Sequence, residues 1–490
     1  MNDEHVYDAI VLGAGFGGLG AGAQLMRTGI TDFLILERCN DIGGVWRDNI
    51  YPGAACDTQS VIYCYSYFLN LSASSMYAGQ SELYNYLKNL ASEFDLNERI
   101  RLGLEVTEAR WDEATDLWEI STISHIFYTR VFIPAWGQLG TPNIPDIPGA
   151  ETFAGLSFHS ARWDTEVDLQ GAKVGSIGNA ASAVQYVPEL ARTSAEVVVF
   201  QRSANYILPR NQIAFTPEQS AGFQRDPETY RRIRDDIHRQ REDGFDRVRH
   251  HTGAQEAGAN EARAHLESQV IDPQMREKLT PNYEFGCKRI LRSDDYYPAL
   301  TRANVELETD PIKQITETGI ITDSGRAHEL DAIVYGTGFD SQTFNGTTAV
   351  IGRDGVTLGE RWGDDPEAFL GMAVDGFPNM FLVYGPNTNL NHNSVISMLE
   401  AQHDYIARAA DYVKRQRTAL EVRTNVLRKF NRELQAELQN SAYASECSSW
   451  YKNAAGKVIN NWSGTVEEYV NAASLNLADY TSRSAVHVGS

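Results

Sequence analysis

The strongest constraint on this chain is a glycine turn set between a strand and a helix near its N-terminus. Tyr7-Asp8-Ala9-Ile10-Val11-Leu12 reads as a short apolar strand, which runs into Gly13-Ala14-Gly15-Phe16-Gly17-Gly18. An Ala/Leu-rich helix over residues 19–27 follows, with Gly29 as its stop, and a second apolar strand, Phe33-Leu34-Ile35-Leu36, ends on Glu37. A GxGxxG string alone is a weak signal. Between a strand and a helix, with an acid about 20 residues further on, it reads as a dinucleotide-binding βαβ unit. Gly13 permits the tight turn, Gly15 lets the backbone approach a pyrophosphate, and Gly18 packs helix on strand. The helix N-terminus offers free N–H groups to a diphosphate. Glu37 can accept both hydroxyls of an adenosine ribose, and its charge repels a 2′-phosphate. The bland alternative is a glycine turn with no ligand.

The same pattern returns in altered form. Residues 171–177 lead into Gly178-Asn179-Ala180-Ala181-Ser182-Ala183, then a helix carrying Val184, Val187 and Leu190, then the strand Val197-Val198-Val199-Phe200. Gly13 to Glu37 spans 24 residues and Gly178 to Arg202 spans 24 as well, so the equivalent position changes from acid to base. A base there suits a ligand with a 2′-phosphate, which Arg202 can grip with two N–H groups and Ser203 can meet alongside. FAD is therefore expected at the first turn and NADPH at the second. Ala180 stands where the second glycine belongs and Ala183 where the third does. A methyl group at the former crowds a pyrophosphate, so a βαβ unit that has lost its nucleotide is the competing reading. The expected fold class is α/β, with two Rossmann-like dinucleotide-binding domains and a helical insertion in the second.

Charge and cysteine usage remove other classes. A net charge of -22 repels nucleic acid and anionic membrane surfaces, so neither is expected as a partner. The apolar stretch 6–26 has membrane-like length, but Asp8, Gln24 and several glycines favour strand, turn and helix. Cys39, Cys56, Cys64, Cys287 and Cys447 are scattered, without zinc spacing, and read as reduced thiols in a cytoplasmic enzyme that holds no metal. A disulfide reductase needs a CxxxxC pair beyond the first unit, and these cysteines do not provide it. Oxygen is the remaining electron acceptor.

From residue 11 to about 464 the chain resembles the class B flavin monooxygenases, most closely the type I Baeyer–Villiger monooxygenases. The most specific segment is Phe153-Ala154-Gly155-Leu156-Ser157-Phe158-His159-Ser160-Ala161-Arg162-Trp163-Asp164, which matches the family string FxGxxxHxxxW(P/D). On its residues alone this segment is a linker with a lone histidine and a buried aromatic. Gly43-Gly44-Val45-Trp46 and Tyr51-Pro52-Gly53-Ala54-Ala55-Cys56-Asp57 resemble flavin-facing loops, although relatives often carry arginine where Ala55 stands. Tyr63 falls at a flavin-contacting tyrosine, and Phe16 lies within the first turn. Phe285-Gly286-Cys287-Lys288-Arg289 resembles the segment that supplies the active-site arginine, and residues 335–340 resemble a hinge. Residues 385–388 resemble a later flavin-domain loop, and Ser449-Trp450-Tyr451 a mobile loop that closes over NADP⁺.

The resemblance implies oxygen insertion beside a ketone carbonyl, giving an ester or lactone through a flavin C4a-peroxide that NADPH and O₂ generate. It makes Arg289 and Asp57 the catalytic pair and sends Lys288 toward the NADPH 2′-phosphate. A guanidinium suits this work because it keeps its proton and can stabilise peroxide and oxyanion alike. It also implies a small-molecule ketone partner and a monomer or weak homo-oligomer. Two other readings stay open: oxygenation at N or S, and a non-oxygenating NADPH oxidase flavoprotein, which Ala180 and Ala55 keep alive.

Residues 1–145 are expected to form the first part of the FAD domain and 146–208 the first part of the NADPH domain. The charged stretch 209–275 forms a helical insertion, with 227–246 a solvated helix. Residues 276–340 complete the NADPH domain and 341–490 the FAD domain. Within the latter, 394–428 reads as one or two helices, and the last ten residues as loose.

Overall fold

The computed structural model describes residues 2–484 apart from Thr343 and Asn345. Two sheets built on the same plan organise the chain. In the first, Asn2–Leu12 lies between Phe33–Leu36 and Ile126–Pro134, and Ile100–Arg101 follows beyond Phe33–Leu36, all in parallel register. In the second, Lys173–Ile177 lies between Glu196–Phe200 and Ala332–Tyr335, with Val305–Glu308 in the outer place. The two four-strand cores thus share one order. Val106–Asp112 and Leu117–Thr122 add an antiparallel pair to the first sheet, and Ala349–Ile351 pairs parallel at its edge. The second unit carries a separate antiparallel sheet, Ile312–Thr316, Gly319–Thr322 and Ala327–Glu329.

The central strands are continuous runs of buried Val, Ile, Leu and Phe because both faces are covered, one by helices and the other by antiparallel strands. The helix Phe16–Arg27 leaves the first turn, three residues earlier than the sequence suggests, and packs on the helix Val395–Gln416. Among the described residues no helix is long and apolar enough to cross a membrane. The stretch 6–26 is strand, turn and helix.

Four α-helices, Pro217–Arg225, Pro227–Asp243, Gly253–Gln269 and Pro273–Leu279, occupy residues 217–279 between Glu196–Phe200 and Val305–Glu308, and a fifth, Tyr296–Leu300, precedes the latter strand. The charged helix is solvated on one side only. Tyr230 is fully buried, and Phe223, Phe245 and Val248 join the core that also holds Phe16, Tyr65 and Ile396. Residues 394–428 meet the expectation of one or two helices but add a strand between two of them. After Val395–Gln416 the chain forms a strand, Thr418–Val422, before the helix Thr424–Leu438 begins. That strand pairs with Tyr480–Ser484, so residues 481–484 are ordered in a sheet rather than loose, and 485–490 lie outside the described residues.

The cysteine expectation also needs correction. Cys287 and Cys447 form a disulfide across 160 residues of sequence, whereas Cys39, Cys56 and Cys64 are free. A contact over that separation leaves no trace in local spacing.

Candidate active site

The two glycine turns have matching geometry. Gly13 and Gly178 have φ of +106° and +103°, and a Cβ on either would strike a carbonyl at the end of a neighbouring strand, Ala135 in one case and Gly336 in the other. A Cβ on Gly18 would collide with the Gly13 carbonyl, so that glycine is needed for packing. Gly15 differs. Its φ is ordinary, and a Cβ there would meet nothing closer than the Gly44 Cα at 3.6 Å. Protein packing does not demand glycine at that place, but a close-lying diphosphate does. The helix behind it begins at Gly15 without a side-chain cap or an acid in its first turn, which leaves its N–H groups for an anion. These features fit FAD.

Glu37 is 5% exposed and sits at the end of its strand. Its carboxylate accepts from the backbone N–H groups of Ala14 and Cys39, both at 2.9 Å, and from Arg47 at 3.1 Å. The loop containing Gly44 docks beside it, with the Gly43 N–H donating to the Ala14 carbonyl at 2.8 Å. Val45 opens the short helix Val45–Asp48, which aims Trp46 at Tyr63; the indole N–H donates to the Tyr63 hydroxyl at 3.3 Å. The Phe16 ring lies 5.2 Å from the Tyr63 ring, so Phe16, Trp46 and Tyr63 form one aromatic cluster next to the first turn.

At the second turn the helix Ala183–Thr193 starts from Ser182, also without a side-chain cap. Ala180 is exposed, so its methyl group is not part of the core. The Asn179 side chain braces the turn, donating to Gln201 at 2.8 Å and to the Ser203 carbonyl at 2.9 Å. Ala181 and Ser182 are half-buried. Lys288, 85 residues away in sequence, brings its Nζ to 2.9 Å from the Ser203 hydroxyl. Burial, and then the positive charge of Arg202, hold the Lys288 pKa below its ordinary value. Arg202 is exposed beside it. Two cations and a hydroxyl thus converge beyond the second strand, a donor set that fits the 2′-phosphate of NADPH.

Where the two units meet, Arg289 Nη2 lies 2.6 Å from Asp57 Oδ2. Burial pushes the Asp57 carboxyl up, but Arg289 and then Arg292 outweigh it and hold its pKa below the usual range. Asp57 in turn raises the Arg289 pKa against the effect of burial, so the guanidinium keeps its charge. Tyr451 and Tyr384 are the next groups in its field. Burial lifts the Tyr384 pKa to about 12. Tyr384 has φ +60° and donates to Asn389 Oδ1 at 2.8 Å, a backbone conformation that non-glycine residues adopt at a cost. Trp450 is half-buried, and its ring lies 4.7 Å from that of Tyr451.

Sequence reasoning missed Tyr384, whose signal is a dihedral angle. It also missed Gln185, which clasps the two units together. The Gln185 side chain accepts from the Tyr51 hydroxyl at 2.9 Å and donates to the Ala55 carbonyl at 2.9 Å. Ala55 therefore takes part through its backbone.

The segment around His159 is not a bare linker. Leu156–His159 is the edge strand of the second sheet, paired with Ala332–Tyr335. His159 Nδ1 accepts from the Ala161 N–H at 3.1 Å, which leaves Nε2–H to donate to the Gly338 carbonyl at 2.9 Å. Burial lowers its pKa, in keeping with a neutral ring. The Trp163 ring packs 5.2 Å from Phe158 and 5.7 Å from Tyr186. These bonds tie the strand to residues 338–339 and leave no catalytic task for the imidazole.

One group with metal-ligand chemistry occurs among the described residues, Glu306, Glu308 and His328. Arg326 already pairs with both carboxylates and supplies the positive charge.

Comparison with known proteins identifies the family. Residues 10–213 match the family model described as pyridine nucleotide-disulphide oxidoreductase. A Baeyer–Villiger monooxygenase of Streptomyces coelicolor is 38% identical over 472 residues, covering 95% of this chain and 90% of that protein. A Baeyer–Villiger monooxygenase of Pseudomonas aeruginosa is 38% identical over 461 residues, covering 93% of this chain and 87% of that protein. Among solved structures, OTEMO in complex with FAD and NADP superposes with a TM-score of 0.89 at 27% identity, over 98% of this chain and 100% of that one. The closed form of cyclohexanone monooxygenase gives 0.88 at 28% identity, over 98% and 100%.

Proposed function

The chain belongs to the Baeyer–Villiger monooxygenases, and we propose that Arg289, held by Asp57, carries its oxygen-insertion step. It is an FAD- and NADPH-dependent flavin monooxygenase that inserts one oxygen atom of O₂ beside a ketone carbonyl to give an ester or lactone. When bound, FAD and NADPH supply reductive activation of O₂.

The residues of this chain divide the remaining tasks. Gly13, Gly15 and Gly18 with the uncapped helix hold the FAD diphosphate, Glu37 the adenosine ribose, and Phe16, Gly44, Val45, Trp46 and Tyr63 the walls around it. Gly178, Asn179, Ala180, Ala181, Ser182 and Ala183 receive the NADPH diphosphate, and Arg202, Ser203 and Lys288 its 2′-phosphate. Trp450 closes over that cofactor. Arg289 donates N–H groups to the negative charge that builds on the ketone oxygen during attack, and its raised pKa keeps it from giving up a proton there. Asp57 fixes the guanidinium from the other unit, and the buried hydroxyls of Tyr384 and Tyr451 help keep bulk water away.

The observation that carries this reading is the Arg289–Asp57 pair at the seam between the two nucleotide units. We assign residues 1–145 and 341–490 to the FAD domain, 146–208 and 276–340 to the NADPH domain, and 209–275 to the insertion, following the two sheets and the four helices between them. The fourth of those helices, Pro273–Leu279, runs past the last boundary. We place the protein in the cytoplasm as a monomer or weak homo-oligomer, a reading supported by the demand for NADPH and the repulsion expected between chains of charge -22. The test is purified protein with NADPH, O₂ and a mixed ketone panel, with ester measured by mass spectrometry against NADPH consumed. Matched amounts support the reading, whereas NADPH loss matched only by hydrogen peroxide overturns it.

A further inference from the structure

The cysteine pair stands outside the machinery assigned above, yet it joins two parts of it. Gly286, at φ +92°, turns the chain so that Cys287 meets the segment after Ala442, and the disulfide closes with the two Cα atoms 6.3 Å apart. Cys287 directly precedes Lys288 and Arg289, and Cys447 lies just before Trp450 and Tyr451. One covalent bond therefore ties the segment bearing the phosphate-gripping lysine and the charged arginine to the loop bearing the closing aromatics. A noncovalent tie runs beside it, from the Ser445 hydroxyl to the Glu284 carboxylate. Glu284 also accepts from Gln255 at 2.7 Å and bonds His250 at 2.8 Å, which anchors the same clasp to the helical insertion.

We propose that Cys287 and Cys447 form a peroxide-responsive thiol pair, whose oxidation pins the 445–452 loop against the Lys288–Arg289 segment and reduces escape of hydrogen peroxide when no ketone is bound. The effect on escape rests on the roles given to Lys288 and Arg289 above; the pairing of the sulfurs does not. The oxidant is hydrogen peroxide, which such an enzyme releases when NADPH and O₂ are consumed without oxygen insertion. Cys447 is half-buried and Cys287 fully buried, so peroxide reaches Cys447 first. The Cys447 thiolate attacks one peroxide oxygen, the O–O bond breaks, and one water leaves after protonation, giving a sulfenic acid. The Cys287 thiol then attacks that sulfur, the S–O bond breaks, and a second water leaves. Two thiols and one hydrogen peroxide become one disulfide and two waters, with two electrons passing from sulfur to peroxide. A dithiol of the thioredoxin class reverses the step by exchange.

Competition from the other cysteines is weak. Burial raises the pKa of Cys39, Cys56 and Cys64, that of Cys56 to about 12, which leaves little reactive thiolate. Disulfides in a reducing compartment are usually transient sensors rather than fixed braces.

The test uses the full-length holoenzyme, reduced with dithiothreitol, desalted, and treated with stoichiometric hydrogen peroxide. Free thiols are alkylated and the peptides mapped by mass spectrometry. In parallel, cleavage within residues 445–452 by a protease is timed, and the rate of hydrogen peroxide formation is measured with NADPH and without ketone. The expected result is a cross-linked Cys287–Cys447 peptide with the other three cysteines alkylated, slower loop cleavage, and a several-fold lower rate of peroxide formation in the oxidised state. Cys447→Ser should match the reduced wild type under both treatments. Free Cys287 and Cys447 after peroxide, or a cross-link that leaves either the cleavage time or the rate of peroxide formation unchanged, overturns the proposal. If no state oxidises NADPH, the role of Lys288 in holding NADPH fails, and mapping with loop cleavage still decides whether the sulfurs form a working staple.

Discussion

Replacing Arg289 by methionine separates the two jobs of the guanidinium. The side chain keeps most of its length, loses its N–H groups, and leaves Asp57 facing the site with Arg292 as the next cation acting on it. For catalysis, loss of a preorganised donor to a developing oxyanion costs about 10²–10³-fold in turnover, roughly 2.7–4 kcal/mol. For stability, breaking a fully buried pair costs about 3–5 kcal/mol, and an exposed pair only about 0.2–1 kcal/mol. Here 38% of the Arg289 side chain and 24% of the Asp57 side chain are open, which places the loss between those limits, at about 1–3 kcal/mol.

The pH dependence follows from the Asp57 shift. In the wild type its folded pKa is depressed, so the pair contributes its full stability above the unfolded value of about 3.9 and loses it as pH falls through the folded value. Without Arg289, burial dominates and the folded pKa rises. The melting-temperature gap between wild type and variant should therefore be widest near neutral pH and close below about pH 4. The assay is paired: NADPH oxidation by absorbance, and ester with hydrogen peroxide by mass spectrometry and a peroxidase couple. Ester should fall by the factor above while NADPH is still consumed and peroxide takes its place. A variant that makes ester at the wild-type rate, or loses NADPH oxidation in proportion to ester, refutes the reasoning.

Gly15→Ala should yield folded protein with little flavin, whereas Gly18→Ala, which collides with the Gly13 carbonyl, should fail to accumulate; flavin absorbance per mole of soluble chain distinguishes them. Arg202→Ala should erode the preference for NADPH over NADH by roughly 1.5–3 kcal/mol, the worth of a charged hydrogen bond. Lys288 and Ser203 should retain part of that preference, and an unchanged ratio of the two kcat/KM values would remove Arg202 from the site. His403 is 1% exposed, and burial lowers its pKa to about 3. The unfolded chain therefore binds the extra proton first as pH falls below about 6.5, and the wild type should lose about 2 kcal/mol by pH 5 through this group. His403→Phe should show a correspondingly flatter urea-unfolding profile from pH 7 to 5, and parallel profiles would count against it.

What could be read from sequence was whatever lies within one strand, turn and helix. Gly13, Gly15, Gly18 and Glu37 act within 24 residues, and so do Gly178 and Arg202, so spacing alone carried them. Lys288 reaching Ser203 spans 85 residues and Arg289 reaching Asp57 spans 232, and only the family resemblance pointed to those pairings. The Cys287–Cys447 bond spans 160 residues and is not among the features the resemblance implies, which is why the cysteines read as separate thiols. The strand Thr418–Val422 was hidden for a related reason. It is five residues long, sits between two strongly periodic helices, and exists by pairing with Tyr480–Ser484. Tyr384 was invisible because a positive φ at a tyrosine is imposed by its surroundings.

The duplicated plan also explains why the chemistry sits at the seam. Each unit presents a turn and an uncapped helix to its own nucleotide, and neither contains both members of the Arg289–Asp57 pair. Reaction geometry is then set by how one unit is held on the other. Three contacts hold it near the site: Gln185 on Tyr51 and the Ala55 backbone, Arg210 on the Cys56 carbonyl at 3.0 Å, and Arg289 on Asp57 itself. A fourth, His159 on the Gly338 carbonyl, lies within the second unit, next to the stretch where the chain returns to the first. The neutral imidazole braces the stretch that leads back to the first unit, and we expect it to act on the relative placement of the two cofactors rather than on oxygen. Its removal should alter the ratio of ester to hydrogen peroxide more than the affinity for either nucleotide, because no bond it makes touches a cofactor-binding residue named here.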